Sequence, residues 1–160
     1  MNQLDQLKTV HWHGVRNINA MDGVPGLTQD AGAPGDSFTY RFPLRDEGTL
    51  WYHAHNNAWE QVSRSLYGVL IVYEDGKISS QGDIALLVDD CRLDKKDQIH
   101  TTSLGSLHDW SHGGRHGNFL TVNGRSEAKI KIPGQGQSGC VLSVPQMLGS
   151  SVLRLVMICP

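Results

Sequence analysis

The chain has 160 residues with a formal net charge of −2, enough for one domain of ordinary size or one small domain and part of another. That balance carries no basic stripe of the kind a nucleic-acid surface needs, and no apolar run reaches membrane-spanning length. Cys91, Cys140 and Cys159 are odd in number and lack metal-like spacing, so they define no disulfide framework. Eighteen glycines among short strand-like runs point to an all-β protein with many turns.

Residues 1–8 read as the end of something larger: Asn2-Gln3-Leu4-Asp5 is polar and turn-like, and Thr9-Val10 already opens a strand. No charged region followed by an apolar stretch comes after Met1, so no signal peptide is visible. The first strand is Val10-His11-Trp12-His13. Residues 14–36 form a long connection punctuated by Asp22-Gly23, Pro25-Gly26 and Pro34-Gly35-Asp36, residues that supply turn geometry. Ser37 to Phe42 alternates, with Phe38, Tyr40 and Phe42 on one side and Thr39 and Arg41 on the other, which predicts a half-buried strand. After a turn at Asp46-Glu47-Gly48, a second histidine strand runs from Thr49 to His55.

Trp59, Val62 and Leu66 fall at helical spacing within Asn56–Tyr67. This predicts a short helical turn backing the second histidine strand, with Trp59 in the core. Gly68 to Tyr73 is a continuous apolar run, expected to be a strand buried on both faces or nearly so. Residues 77–83 read as a linker. Ile84 to Val88 opens a fresh strand, Asp94 to Gly117 is loop-like, Phe119 to Asn123 and Ala128 to Ile132 are strands, and Asn123-Gly124 is a turn between them. The structure of 134–160 is left open.

The chemistry lies in the two His-x-His pairs. Residues two apart on a strand share a face, so His11 and His13 form one imidazole pair and His53 and His55 another. Four imidazoles in one small volume are costly to bury as packing, because each nitrogen needs a partner. Neutral imidazole suits copper, zinc, iron and nickel. A cupin-type site would need a glutamate soon after the first pair, whereas Gly14, Val15, Arg16, Asn17 and Ile18 follow and the first acid is Asp22. A zinc hydratase site would use one pair plus one further histidine and an open position; that reading stays open, but it does not account for a second full pair. His100, His108, His112 and His116 read as loop histidines, since Gly113 and Gly114 interrupt the helical spacing of the last three. No nucleophile-elbow pattern supports a serine hydrolase.

The run His11-Trp12-His13-Gly14, then Asp22-Gly23-Val24-Pro25, Thr28-Gln29, Pro34-Gly35, Phe38-Thr39-Tyr40-Arg41-Phe42, Gly48-Thr49, Trp51-Tyr52-His53-Ala54-His55 and Gly68-Val69-Leu70-Ile71-Val72 closely resembles the first cupredoxin domain of multicopper oxidases, the family of laccases, ascorbate oxidases and bilirubin oxidases. The match is dense from Leu4 to Tyr73. The resemblance implies an incomplete cupredoxin-like Greek-key β-sandwich. Residues 1–76 would be a first cupredoxin domain without its N-terminal strands, 77–83 a linker and 84–133 the start of a second domain. Cys91 stands where the family often has tryptophan after an aspartate, and after Pro133 the likeness stops, leaving 134–160 as a tail outside the family pattern.

By the same resemblance the chain supplies half of a trinuclear copper site: His11 to the type 2 ion, His13 and His53 to one type 3 ion and His55 to the other. Asp22 would assist proton delivery; read from the residues alone, Asp22-Gly23 equally makes a simple turn. The site would reduce dioxygen to water while a reducing substrate, such as a phenol or a metal ion, is oxidised. The type 1 copper needs a cysteine beside histidines, and no cysteine here has a histidine neighbour. The remaining cupredoxin domains, or another chain, would then be required. A periplasmic or extracellular location follows from the family. The alternative is a copper-binding cupredoxin module without catalysis.

Overall fold

In the computed structural model, described over residues 1–74, 85–107, 115–126 and 141–143, the chain divides into two compact units, Met1–Ser80 and Gln81–Pro160. Among the described residues strands dominate both, and helix is limited to short turns.

The first unit is built on a three-stranded antiparallel sheet in the order β1-β2-β3. These strands are Val10–His13, Gly48–Ala54 and Tyr67–Val72. β2 is central, and its register sets His11 opposite His53, Trp12 opposite Tyr52 and His13 opposite Trp51. On the other side Tyr52 pairs with Gly68 and His53 with Tyr67. Because side chains alternate, Trp51 and His53 share the face of His11 and His13, while Trp12 and Tyr52 lie on the opposite face.

On that opposite face the aromatic residues cluster. The Trp12 ring lies 5.4 Å from Tyr40, 5.3 Å from Phe42 and 5.5 Å from Tyr52. Gly68 is buried beneath Tyr52, and a Cβ at that position would collide with the Tyr52 phenol ring. The alternation of Tyr40 and Phe42 therefore does place them on one side. The expected strand over Ser37–Phe42, however, is not part of the hydrogen-bonded sheet. Beside β1 the Tyr40 hydroxyl accepts the Val10 N–H at 3.0 Å, so a side chain takes a bond that a neighbouring strand would have made with its backbone.

The helical turn after β2 comprises α1 (Ala58–Gln61), passing directly into a 3-10 turn at Val62–Arg64. It ties the second histidine strand to the segment before the first. Gln61, 1 % exposed, donates its side-chain amide to the Leu7 carbonyl at 2.9 Å. Asn56 donates to the same carbonyl at 3.0 Å, and the His55 N–H reaches the Thr9 carbonyl at 3.2 Å. Trp59 is not in the core: it is 45 % exposed, and the buried positions are Gln61, Val62 and Ser63. The change from α to 3-10 winding after Gln61 breaks the spacing from which a shared inner face was expected. β3 also differs from expectation. It is an edge strand on which only Gly68 is buried, and Ile71 and Tyr73 are exposed.

The second unit holds β4 (Leu86–Cys91), flanked by antiparallel β5 (Phe119–Val122) and parallel β6 (Val141–Ser143). β4 continues through Asp89, Asp90 and Cys91, past the expected end at Val88, because those polar residues find partners. The Asp90 carboxylate accepts the Gly117 N–H at 2.7 Å, and the Cys91 carbonyl accepts the Asn118 N–H at 2.9 Å. Asn118 and Asn123 clamp the two ends of the β4–β5 pair through their side-chain amides, Asn118 to the Leu93 backbone and Asn123 to Leu87 and Ala85. The Asn123-Gly124 turn carries positive φ at both residues, 50° and 73°, as a tight hairpin turn requires. Among its described residues, the stretch read as a loop contains a 3-10 turn, Thr101–Ser103. β6 lies in the tail whose structure the sequence left open. The linker 77–83, the strand at 128–132, His108 and His112 fall outside the described residues.

Candidate metal centre

The antiparallel pairing of β1 with β2 converts two local His-x-His patterns into one cluster. Candidate donor atoms of His11, His13 and His53 all lie within 4.8 Å of one another. The ring of His11 is 5.6 Å from His13, 5.3 Å from His53 and 5.3 Å from His55. His55, one residue beyond β2, stands beside the tight group of three and is not part of it. All four residues singled out from the sequence thus meet on one face, three of them as a compact donor set.

Hydrogen bonds orient the two histidines that face each other across the ladder. Nδ1 of His11 lies 2.8 Å from the Asp22 carbonyl oxygen, and Nδ1 of His53 lies 2.9 Å from the Ala54 carbonyl oxygen. A neutral imidazole that donates at one nitrogen keeps its lone pair on the other, so in both rings Nε2 is the available donor atom. The Asp22 carboxylate also approaches Nδ1 of His11, at 3.4 Å. Asp22 therefore sits beside His11, and its shorter contact is made by its backbone.

Burial is the main force on His53. It holds the imidazole pKa below its ordinary value; the charges His11, His13 and His55 would carry push it the same way, and the bond to Ala54 opposes. A depressed value keeps the imidazole neutral, which is the form that binds metal.

Two features escaped the sequence reading. Trp51 forms a wall of the cluster, its ring 4.8 Å from His13 and 4.4 Å from His53. The signal was present, since Trp51 shares the i, i+2, i+4 face with His53 and His55. The backbone contact from Asp22 to His11 had no sequence signal, because any residue carries a carbonyl.

The residues present fit a bound transition metal. The donor set is entirely imidazole, and Nδ1 of His55 is buried without a hydrogen-bond partner among the described residues, an arrangement that normally costs free energy unless something takes the lone pair. Among divalent ions copper binds such nitrogen sites most tightly.

Comparison with known proteins points to the same metal. A family model described as multicopper oxidase matches residues 1–77. A copper resistance protein A homolog of Pseudomonas syringae pv. tomato is 45% identical over 71 residues, which is 44% of this chain and 12% of that protein. Laccase-1 of Cryptococcus neoformans var. neoformans is 33% identical over 147 residues, 87% of this chain and 22% of that protein. The crystal structure of a multi-copper oxidase from Pseudomonas thermotolerans superposes with a TM-score of 0.72 at 33% identity, covering 79% of this chain and 30% of that one. The chain thus spans only a quarter or less of the length of these curated relatives. With mostly strands, little helix and these neighbours, the fold is cupredoxin-like and incomplete, and the chain belongs to the multicopper oxidase family as a laccase-like segment.

Proposed function

We propose that this chain provides half of a trinuclear copper site that reduces dioxygen to water within a larger multicopper oxidase. The observation that carries this reading is the imidazole cluster: three donors within 4.8 Å of one another and a fourth ring with a buried, unpartnered nitrogen. Copper bound there would pass electrons, taken from a reducing substrate, to dioxygen. The chain's own residues bind and orient. His13 and His53 hold one type 3 ion, His55 the other, and His11 the type 2 ion. The compact set places His11 with His13 and His53, so its assignment to a separate ion rests on the family pattern. Trp51 covers one side of the cluster and limits access of water to it.

Oxygen reduction consumes protons. The Asp22 carboxylate is partly exposed and lies 3.4 Å from His11 Nδ1, a position that supports a role in holding and delivering protons. Dioxygen and the partner histidines would meet this cluster at a seam with the remaining cupredoxin domains, and the reducing substrate (a phenol, a metal ion or similar) would be oxidised at a copper outside this chain. 77–83 is the proposed linker and 84–133 the proposed start of the second domain. The family places such proteins in the periplasm or outside the cell; among the described residues no helix is long and apolar enough to cross a membrane.

Copper titration of the chain tests the reading. We expect copper to survive desalting and to quench Trp51 fluorescence, and His53→Ala to abolish retention. Zinc retention that is indifferent to His53→Ala would sink the copper site. The coding sequence downstream separates the oxidase from a copper-binding module without catalysis: a His-Cys-His stretch is expected for the first, and an early stop for the second.

A further inference from the structure

We propose that Gly23 is a positioning residue, whose missing side chain lets the Asp22 carbonyl reach His11 and set which ring nitrogen that histidine presents to the cluster. The purpose of this device rests on the copper reading; its geometry does not.

Gly23 is buried and adopts φ +77°, a conformation that strains any residue with a Cβ. Space forbids a side chain as well. A Cβ at Gly23 would lie inside the Val10 carbonyl oxygen, 2.6 Å from its carbon and 3.1 Å from the His11 nitrogen. The Asp22-Gly23 turn is thus packed directly against the backbone of β1 at the residue before His11. Only this close approach brings the Asp22 carbonyl within 2.8 Å of Nδ1.

The turn cannot easily slide. Before it, the Met21 N–H donates to Ile18 at 2.9 Å and the Asp22 N–H to Asn19 at 3.1 Å. After it, the Val24 N–H donates to the Thr28 hydroxyl at 2.8 Å. A methyl group added at Gly23 would therefore be relieved at the contact between the two segments, by lifting the Asp22 carbonyl away from His11.

Two oxygens of Asp22 approach the same nitrogen, and they are not equivalent. The carbonyl, at 2.8 Å, is at ordinary hydrogen-bond length, whereas the carboxylate, at 3.4 Å, is long for one. Orientation of His11 is then a main-chain property that survives loss of the Asp22 side chain but not a methyl group on the next residue. This separates two roles at adjacent positions: the Asp22 carboxylate is left to serve protons, and the Asp22 main-chain carbonyl, brought close by Gly23, fixes the ring.

The test reads the tautomer directly, by the imidazole nitrogen resonances of the metal-free full chain labelled with nitrogen-15 histidine, at mildly alkaline pH. The native chain should show His11 in a single Nδ1–H form, and Asp22→Ala should leave that form unchanged. Gly23→Ala should give a mixture of tautomers at His11, with the backbone amide resonances of His53 in β2 and of His55 in place. Copper affinity should fall about 10–100-fold in Gly23→Ala, the usual loss for an outer-shell contact to a ligand, and by less in Asp22→Ala. A retained single form in Gly23→Ala, or its loss in Asp22→Ala, overturns the proposal. If Gly23→Ala does not fold, the Asp22→Ala spectrum decides, because only carbonyl control keeps the Nδ1–H form there. Failure of copper binding in the native chain would strike the copper reading and leave the tautomer result standing.

Discussion

At the residue scale, the cluster is held by neutral imidazoles, and its sensitivity to acid follows from His53. Its folded pKa lies below the ordinary value of 6.5, chiefly through burial. The unfolded chain therefore takes up a proton at this residue before the folded chain does, and stability is lost as pH falls from about 6.5 toward the depressed folded value. Urea unfolding of the metal-free chain should show this loss, and His53→Gln should flatten that part of the profile. An unchanged slope in the variant would remove His53 as its source. Cys91 behaves in the opposite sense. Burial first, then the Asp89 carboxylate at 3.7 Å and Asp90, push its thiol up to about 11 against the pull of Arg115. The unfolded thiol ionises near 9.0, so stability should fall as pH rises from there toward 11. Alkylation of Cys91 in the native chain, followed by mass spectrometry, should be slow at pH values where free cysteine reacts readily; fast modification would contradict the burial.

At the scale of elements, the β1–β2–β3 sheet depends on one small residue behind the histidine strand. Gly68 is buried under Tyr52, and Tyr52 packs on Trp12, the residue between the two ligand candidates of β1. Gly68→Ala should cost about 1–3 kcal/mol through overpacking, measured by urea unfolding. Adding Tyr52→Ala should recover part of that cost, since the pair is in contact and couples. Simple additivity would mean that the ring and the glycine do not meet. The same element shows where a pattern can be right and its assignment wrong. Tyr40 and Phe42 reach Trp12 as their alternation implies, yet their segment forms no ladder because a phenol hydroxyl takes the Val10 N–H. Alternation records which way side chains point and says nothing of what the backbone bonds to.

At the scale of the whole molecule, the donor cluster among the described residues is made of imidazoles alone. Cys91, Cys140 and Cys159 have no histidine neighbours, so the copper-loaded chain should lack the intense blue absorption of a cysteine-ligated copper and should show only the signals of imidazole-bound copper by absorption and electron paramagnetic resonance. An intense blue band would show that one of these cysteines is recruited as a ligand. By itself the sequence determined that His11 and His13, and His53 and His55, each share a face, because period two is a local property of extended backbone. It also determined the family, through the residues around those pairs. Only the tertiary structure decided that His11 stands opposite His53, that Trp51 walls the cluster, that Trp59 lies outside the core and that the Asp22 backbone sets the His11 ring. Register and burial depend on how a 34-residue excursion from Gly14 to Glu47 returns the chain to β1, and no local pattern encodes where that return meets the first strand.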